Sequence, residues 1–386
     1  MKTLRRSRLR STSLTVVILI VGFAASASSD AISFESEGWQ MFGDETQVEL
    51  VDGHTALRMT TGRAIQRQID FSDGTIEFDL QMTGYRSFVY IQFRLESDGE
   101  YEEFYFRPHK SLLPDAIQYT PVFRRAAQWQ LYHDQHSTAA ARFTPDEWLH
   151  MRVIVEGTKA AVFVGDVSKP QLIVPRLARG RSSGGIAVRA GQPRQGSTGR
   201  PPGLYTASFA NLTVSPSTDG FDFSQVEEPP RAAGMIQEWQ LSDAFDPGEG
   251  PVRELPQQIV AGSWRTADAE PSGLTLLARE VPKPEGVRRA TVLARLHLPA
   301  SEPRIERLDF GYSDEVSIFL NGRLLFSGDD SYSFTNPRRQ GLITIDQGSV
   351  YLPLEAGNNE LILAVTDVFG GWGLMGRLGA QATAAE

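Results

Sequence analysis

The chain is expected to be an all-β protein of two antiparallel β-sandwiches, on three observations. Segments with a 3.6-residue apolar period are scarce, whereas short alternating apolar and polar segments recur throughout. Gly, Pro, Asn and Asp punctuate them, and 35 glycines and 22 prolines suit many tight turns. At 386 residues the chain exceeds what one hydrophobic core organises, and a polar stretch separates two alternating blocks. A hydrophobic fraction of 41% with 22% charged residues is an ordinary globular balance and argues against a disordered or coiled-coil chain. Cysteine is absent, which excludes disulfide frameworks, thiolate catalysis, zinc–cysteine sites and iron–sulfur clusters.

In chain order, residues 1–27 read as a signal peptide. Lys2, Arg5, Arg6, Arg8 and Arg10 form a basic head, Leu14–Ala25 an apolar run of about a dozen residues, and Ala25-Ser26-Ala27 a small-x-small cleavage pattern. A spanning helix needs about 20 apolar residues, so no membrane span is expected after cleavage. The expected address is export, to the periplasm or the medium. Removal of the head leaves 33 basic against 47 acidic residues, near −14. So acidic a surface repels nucleic acid and anionic lipid.

The first block covers residues 28–215. Its expected strands are Ala56–Thr60, Gly74–Met82, Phe88–Leu95, Glu102–Arg107, Trp129–Tyr132, Leu149–Glu156, Lys159–Val164, Gly185–Arg189 and Tyr205–Val214. Residues 216–235, with Pro229-Pro230 and several acids, read as a linker. The second block covers residues 236–378, with strands at Thr291–Leu298, Arg307–Tyr312, Val316–Leu320, Arg323–Phe326, Gly341–Ile345, Ser349–Leu352 and Glu360–Thr366. Asn321-Gly322 is a two-residue hairpin signal. Residues 379–386 form a small-residue tail.

Alternation assigns faces. Ile76, Phe78, Leu80 and Met82 oppose Glu77, Asp79 and Gln81. Val89, Ile91, Phe93 and Leu95 oppose Phe88, Tyr90, Gln92 and Arg94; Phe104 and Phe106 oppose Glu103, Tyr105 and Arg107. A concave sheet face of Tyr, Arg, amide and acid suits carbohydrate, because hydroxyls pair with the polar groups and sugar rings stack on aromatics. An ordinary solvated face is the plain alternative. The stretch Arg107–Ser137 reads as a long polar and aromatic loop. The candidate ligand-binding set is Tyr90, Gln92, Arg94, Glu103, Tyr105, Arg107, His109, Gln118, Tyr119 and Trp129. For Tyr119, Trp129 and Leu131 the alternative is a lid on one end of the core.

Catalytic patterns are sparse. Glycoside hydrolysis needs two carboxyl groups across the bond. Glu77-x-Asp79-x-Gln81 has an amide in the third place, and a cross-strand pair of Glu103 with Glu77 or Asp79 is the remaining option. No catalytic residue is assigned. His133-x-x-His136 with Asp134 lacks a third metal ligand, and Asp329-Asp330 suggests a turn, with a structural calcium as the alternative. No cofactor is expected otherwise. Trp372, among glycines, is read as a packing residue with surface binding as the alternative.

The run DEWLHMRVIVEGTKAAVFVGD, then GGIAVRA and YTASFANLTV, resembles the closing strands of concanavalin A-like jelly rolls. The matching residues are Trp148, Val153, Val155, Ala161, Phe163, Gly185, Ile186, Val188, Phe209 and Asn211, with Gly74–Phe78 as an early strand. The resemblance covers most of residues 32–215. It implies a jelly-roll sandwich of a superfamily that includes lectins, laminin G-like domains, glucanases and 3-keto-disaccharide hydrolase-like domains. Val316-x-Ile318-Phe319-Leu320-Asn321-Gly322 and Leu354-x-x-Gly357-Asn358-Asn359-Glu360-Leu361 resemble galactose-binding-like sandwiches over residues 236–378. The expected function is non-catalytic binding of a carbohydrate or glycoconjugate. A glycoside-active enzyme of the 3-keto-disaccharide or glucanase kind, and an envelope assembly module, are the alternatives. Oligomeric state is left open.

Overall fold

The computed structural model describes residues 31–43, 45–165, 167–191, 206–332 and 339–379. The signal segment, Tyr205 and nearly all of the tail lie outside the described residues. The chain is all-β, with every strand pairing antiparallel.

The first sandwich opens with β1 (Trp39–Phe42), β2 (Thr46–Val51), β3 (His54–Met59), β4 (Gly62–Phe71) and β5 (Gly74–Met82). Then come β6 (Phe88–Ser97), β7 (Glu100–Phe106), β8 (Ile117–Phe123), β9 (Ala126–Ala127) and β10 (Thr138–Ala139). It closes with β11 (Trp148–Glu156), β12 (Lys159–Val164), β13 (Leu172–Val174), β14 (Gly184–Gly191) and β15 (Ala207–Ser215). One sheet runs β1-β4-β14-β6-β7-β8-β10, with β9 on β8; the other runs β13-β12-β11-β5-β15-β3-β2. The alternating residues Ile76, Phe78, Leu80 and Met82 of β5 face Val89, Ile91, Phe93, Phe104 and Phe106 of the opposite sheet in one core.

The second sandwich comprises β16 (Glu238–Leu241), β17 (Arg265–Asp268), β18 (Thr275–Leu276), β19 (Ala290–Ala300) and β20 (Arg304–Ser313), then β21 (Glu315–Leu320), β22 (Arg323–Asp329), β23 (Gly348–Leu354), β24 (Gly357–Asp367) and β25 (Gly373–Leu378). Its sheets run β17-β16-β19-β24-β21-β22 and β18-β25-β20-β23. The Asn321-Gly322 hairpin joins β21 to β22 with both residues at positive φ, 50° and 78°, the geometry that selects this dipeptide. Trp372 is fully buried and its indole donates to the Val365 carbonyl at 3.2 Å, so it is a packing residue.

Several expected elements differ. Gly341–Ile345 and Trp129–Tyr132 are turns, not strands. The Arg107–Ser137 loop contains β8, buried along its whole length. The segment read as a linker is partly docked: Phe221, Phe223 and Val226 cover Ile154, Ala161 and Phe163 on the outside of the β5 sheet.

The 128–133 turn joins the sandwiches. Gln130 donates to the Gln340 carbonyl at 2.8 Å and accepts from the Gly371 N–H at 2.6 Å. Gln128 accepts from the Trp372 N–H, and the Tyr132 hydroxyl donates to buried Glu270 at 2.7 Å. Leu131 and Tyr132 belong to a core cluster continuous with that of the second sandwich.

Candidate functional site

The outer face of the β6–β7–β8 sheet is organised in rows set by strand register. Arg63 of β4 pairs with Arg189 of β14, which pairs with Tyr90 of β6, then Tyr105 of β7 and Gln118 of β8. The neighbouring row is Ile65, Ala187, Gln92, Glu103 and Thr120. One residue per strand, with period two, therefore delivers five side chains to a single line across the sheet.

The rows form a connected network. The Arg63 Nε donates to Gln92 Oε1 at 2.8 Å, and Gln92 Nε2 donates to Glu103 at 2.8 Å. The Tyr105 hydroxyl and Arg107 Nη2 both donate to Gln118 Oε1, at 2.5 and 3.0 Å. Gln118 in turn donates to the carbonyls of Trp129 and Tyr132, at 2.7 and 2.6 Å. Guanidinium groups lie over the aromatic rings: Arg189 over Tyr90 at 4.8 Å, Arg107 over Tyr105 at 4.9 Å and Arg63 over Tyr101 at 5.1 Å.

Exposure separates a floor from a lip. Gln92, Glu103, Tyr105, Arg107 and Gln118 are buried, while Arg63, Phe88, Tyr90, His109 and Arg189 are half-buried and reachable. Burial raises the pKa of Glu103 above the carboxylate range; Arg189, Gln92 and Arg63 oppose the shift. His109 packs edge-on to Phe88 at 5.7 Å, and burial first, then Arg86, Arg107 and Lys110, push its pKa down to about 4. Its imidazole is therefore neutral at pH 7.

Of the ten candidates, seven belong to this face: Tyr90, Gln92, Glu103, Tyr105, Arg107, His109 and Gln118. Arg94 does not. A bulge after Phe93, with Arg94 at φ 51°, turns its side chain inward and leaves Leu95 on the outer face beside Ile65, Tyr101, Val122 and Ala187. Arg94 is buried and donates to the carbonyls of Ser72, Gly157 and Gly180 and to Asp73. Tyr119 points into the core, where its hydroxyl donates to Glu102 at 2.6 Å. Trp129 turns away to pack edge-on against Tyr332 of the second sandwich at 5.8 Å.

Arg63, Tyr101 and Arg189 were missed. Tyr101 shares the parity of Glu103 and Tyr105. Arg189 ends an expected strand whose face was not assigned, and Arg63 sits on an unrecognised strand.

The option of pairing Glu103 with Glu77 or Asp79 is overturned, because those acids lie on the outer face of the other sheet. There Asp79 meets His150 at 2.9 Å and Asn211 at 2.6 Å. Among the described residues no group of three or more His, Asp or Glu could hold a metal ion. His133 is engaged with the Ile343 carbonyl at 2.7 Å. Asp330 accepts from Tyr312, Arg339 and Gln347, and Asp329 accepts from Ser331. A cavity of about 310 Å³ lies away from this face, at the seam between Tyr132, Arg176, Glu228, Glu270, Ile343 and Met375.

The fold and this face define a jelly-roll sandwich with a polar, aromatic outer sheet surface. Residues 33–214 match the model of the 3-keto-alpha-glucoside-1,2-lyase-like domain family, over the span where the sequence carries its concanavalin A-like resemblance. A search of curated proteins finds no match. Solved structures similar to the chain include a carbohydrate-binding module from Bacillus subtilis, at 15% identity over 46% of this chain and 95% of that chain, TM-score 0.35. A Bacillus licheniformis β-glucanase is similar at 10% identity over 48% of this chain and 95% of that chain, TM-score 0.33. A β-1,3-1,4-glucanase from a mouse hindgut metagenome is similar at 13% identity over 48% of this chain and 96% of that chain, TM-score 0.35.

Proposed function

We propose that the chain is an exported, non-catalytic glycan-binding protein whose ligand lies across the outer face of the β6–β7–β8 sheet. The observation that carries this reading is the line Arg63, Arg189, Tyr90, Tyr105 and Gln118 across five strands. Tyr90, flanked by Arg189 at 4.8 Å and Tyr105 at 5.4 Å, offers a sugar the exposed part of its ring, and Arg189 offers donors to the sugar oxygens. The buried Gln92, Glu103, Tyr105 and Gln118 hold those groups in place, so little side-chain order has to be acquired on binding.

Among the described residues, the two central rows carry a single carboxylate, Glu103. Hydrolysis by an acid and a nucleophile requires a second one at a set separation, which favours binding over cleavage. One observation favours an enzyme instead: a buried carboxyl with a raised pKa suits general acid chemistry. A polysaccharide panel that reads binding and reducing-end release in the same wells separates the two. Binding without release is expected. Tyr90→Ala should weaken it by roughly tenfold, the loss of a stacking contact near 1.4 kcal/mol. Release of sugar that Glu103→Gln abolishes would replace the binding reading with the enzymatic one.

A further inference from the structure

We propose that the ligand of this face is an anionic glycan, whose sugar units carry carboxylate or sulfate groups. This rests on the glycan reading above and names the chemistry of the ligand. The chain is acidic, with a net charge of −9, yet this face collects cations. Arg63 and Arg189 stand directly opposite each other on adjacent strands, an arrangement in which like charges repel. Glu103, 2% exposed, is the one carboxylate among the described residues of the two central rows, and burial raises its pKa. At the rim, Asp98 is shared between Arg63 and Arg67, and Asp115 between Arg107 and Lys110. Five cations thus share three carboxylates.

The donors are also incompletely used. Among the described residues Arg189 has no ion-pair partner; its guanidinium lies over the Tyr90 ring, 4.8 Å from the centroid, at the reachable lip. A sugar hydroxyl can accept from the reachable Arg189 guanidinium but cannot compensate its charge. A carboxylate or sulfate does both, and its paired oxygens match the guanidinium fork. Cations gather at the same lip, where Arg86, Arg107 and Lys110 stand around His109 against the single carboxylate of Asp115.

The test compares matched pairs on the full chain by calorimetry: polygalacturonate against its methyl ester, and dextran sulfate against dextran. One charged member is expected to bind at least about tenfold tighter than its neutral counterpart, as a charge-assisted hydrogen bond implies. The advantage should shrink between about 50 mM and about 500 mM salt as the charges are screened. Whichever pair shows it distinguishes carboxylate from sulfate. Arg189→Gln should remove most of the advantage, and Arg189→Lys, which keeps the charge, should retain more. Neutral members binding as tightly as charged ones would overturn the anionic inference and leave the glycan reading standing. Silence from all four, together with silence across the wider panel, would overturn both.

Discussion

Arg94→Ala is expected to destabilise the protein by about 3–5 kcal/mol, the cost of breaking a buried, fully hydrogen-bonded charge site. The guanidinium is 1% exposed and donates to three main-chain carbonyls, Ser72 at 2.8 Å, Gly157 at 2.6 Å and Gly180 at 2.9 Å, and to Asp73 at 3.1 Å. Those carbonyls come from three separate turns, so one side chain ties the end of the first sandwich together. Truncation strips all three of a donor and leaves a void. Arg67→Ala is the control, because Arg67 is 35% exposed and engages Asp98 at the rim; its cost should stay within about 1 kcal/mol. Urea unfolding with unchanged m-value reads both. A loss below about 1 kcal/mol for Arg94→Ala would show that the site does not hold the fold.

The contribution of Asp314 to stability should be lost as pH rises from about 4 to about 7. Burial raises this carboxyl from the ordinary 3.8 to about 7, and neighbouring Asp367 adds to the shift, against N–H groups of Phe369 and Val368 that favour the ionised form. Between the unfolded and folded values the native state holds more protons than the unfolded chain, so each step up in pH removes stability. The contribution is complete below about pH 4, is lost as pH rises to about 7, and amounts to roughly 4 kcal/mol. Asp314→Asn keeps an acceptor for Val368 and Phe369 and cannot ionise. It should lie near wild type at pH 4, exceed it by roughly 1–2 kcal/mol at pH 5 and by roughly 4 kcal/mol at pH 8. A gap that does not change with pH would refute the assignment to Asp314.

Much of the architecture was readable because alternation is a local signal. The β5 residues Ile76 to Met82 and the Asn321-Gly322 turn reveal themselves within a few positions. The errors have a common origin in what alternation omits. A bulge inserts a residue and reverses parity, and only the pairing of β6 with β7 shows that Arg94 turns in while Leu95 turns out. Strand β8 was hidden because it is buried on both faces and contains Pro121, so it has neither period two nor an unbroken run. Trp129–Tyr132 resembles a strand because its apolar members serve partners in the second sandwich, far away in sequence, which no window can contain. The site was half legible for the same reason: Tyr90, Glu103 and Tyr105 follow from their own strands. The approach of Arg63 and Arg189 follows from the order β4-β14-β6, a long-range fact.

The 128–133 turn has a practical consequence for anyone wishing to borrow the outer face of the β6–β7–β8 sheet as a cassette. Gln118 connects the line of Tyr105 and Arg107 to the carbonyls of Trp129 and Tyr132, and the same turn is anchored by Gln130 and Tyr132 in the second sandwich. Two hydrogen bonds therefore separate Gln118 of that face from the neighbouring module. Cutting at the connecting segment would leave the two sheets of the first sandwich paired but release the backstop of that surface. Grafting should carry residues 32–378 together, so that the turn keeps its anchors in the second sandwich.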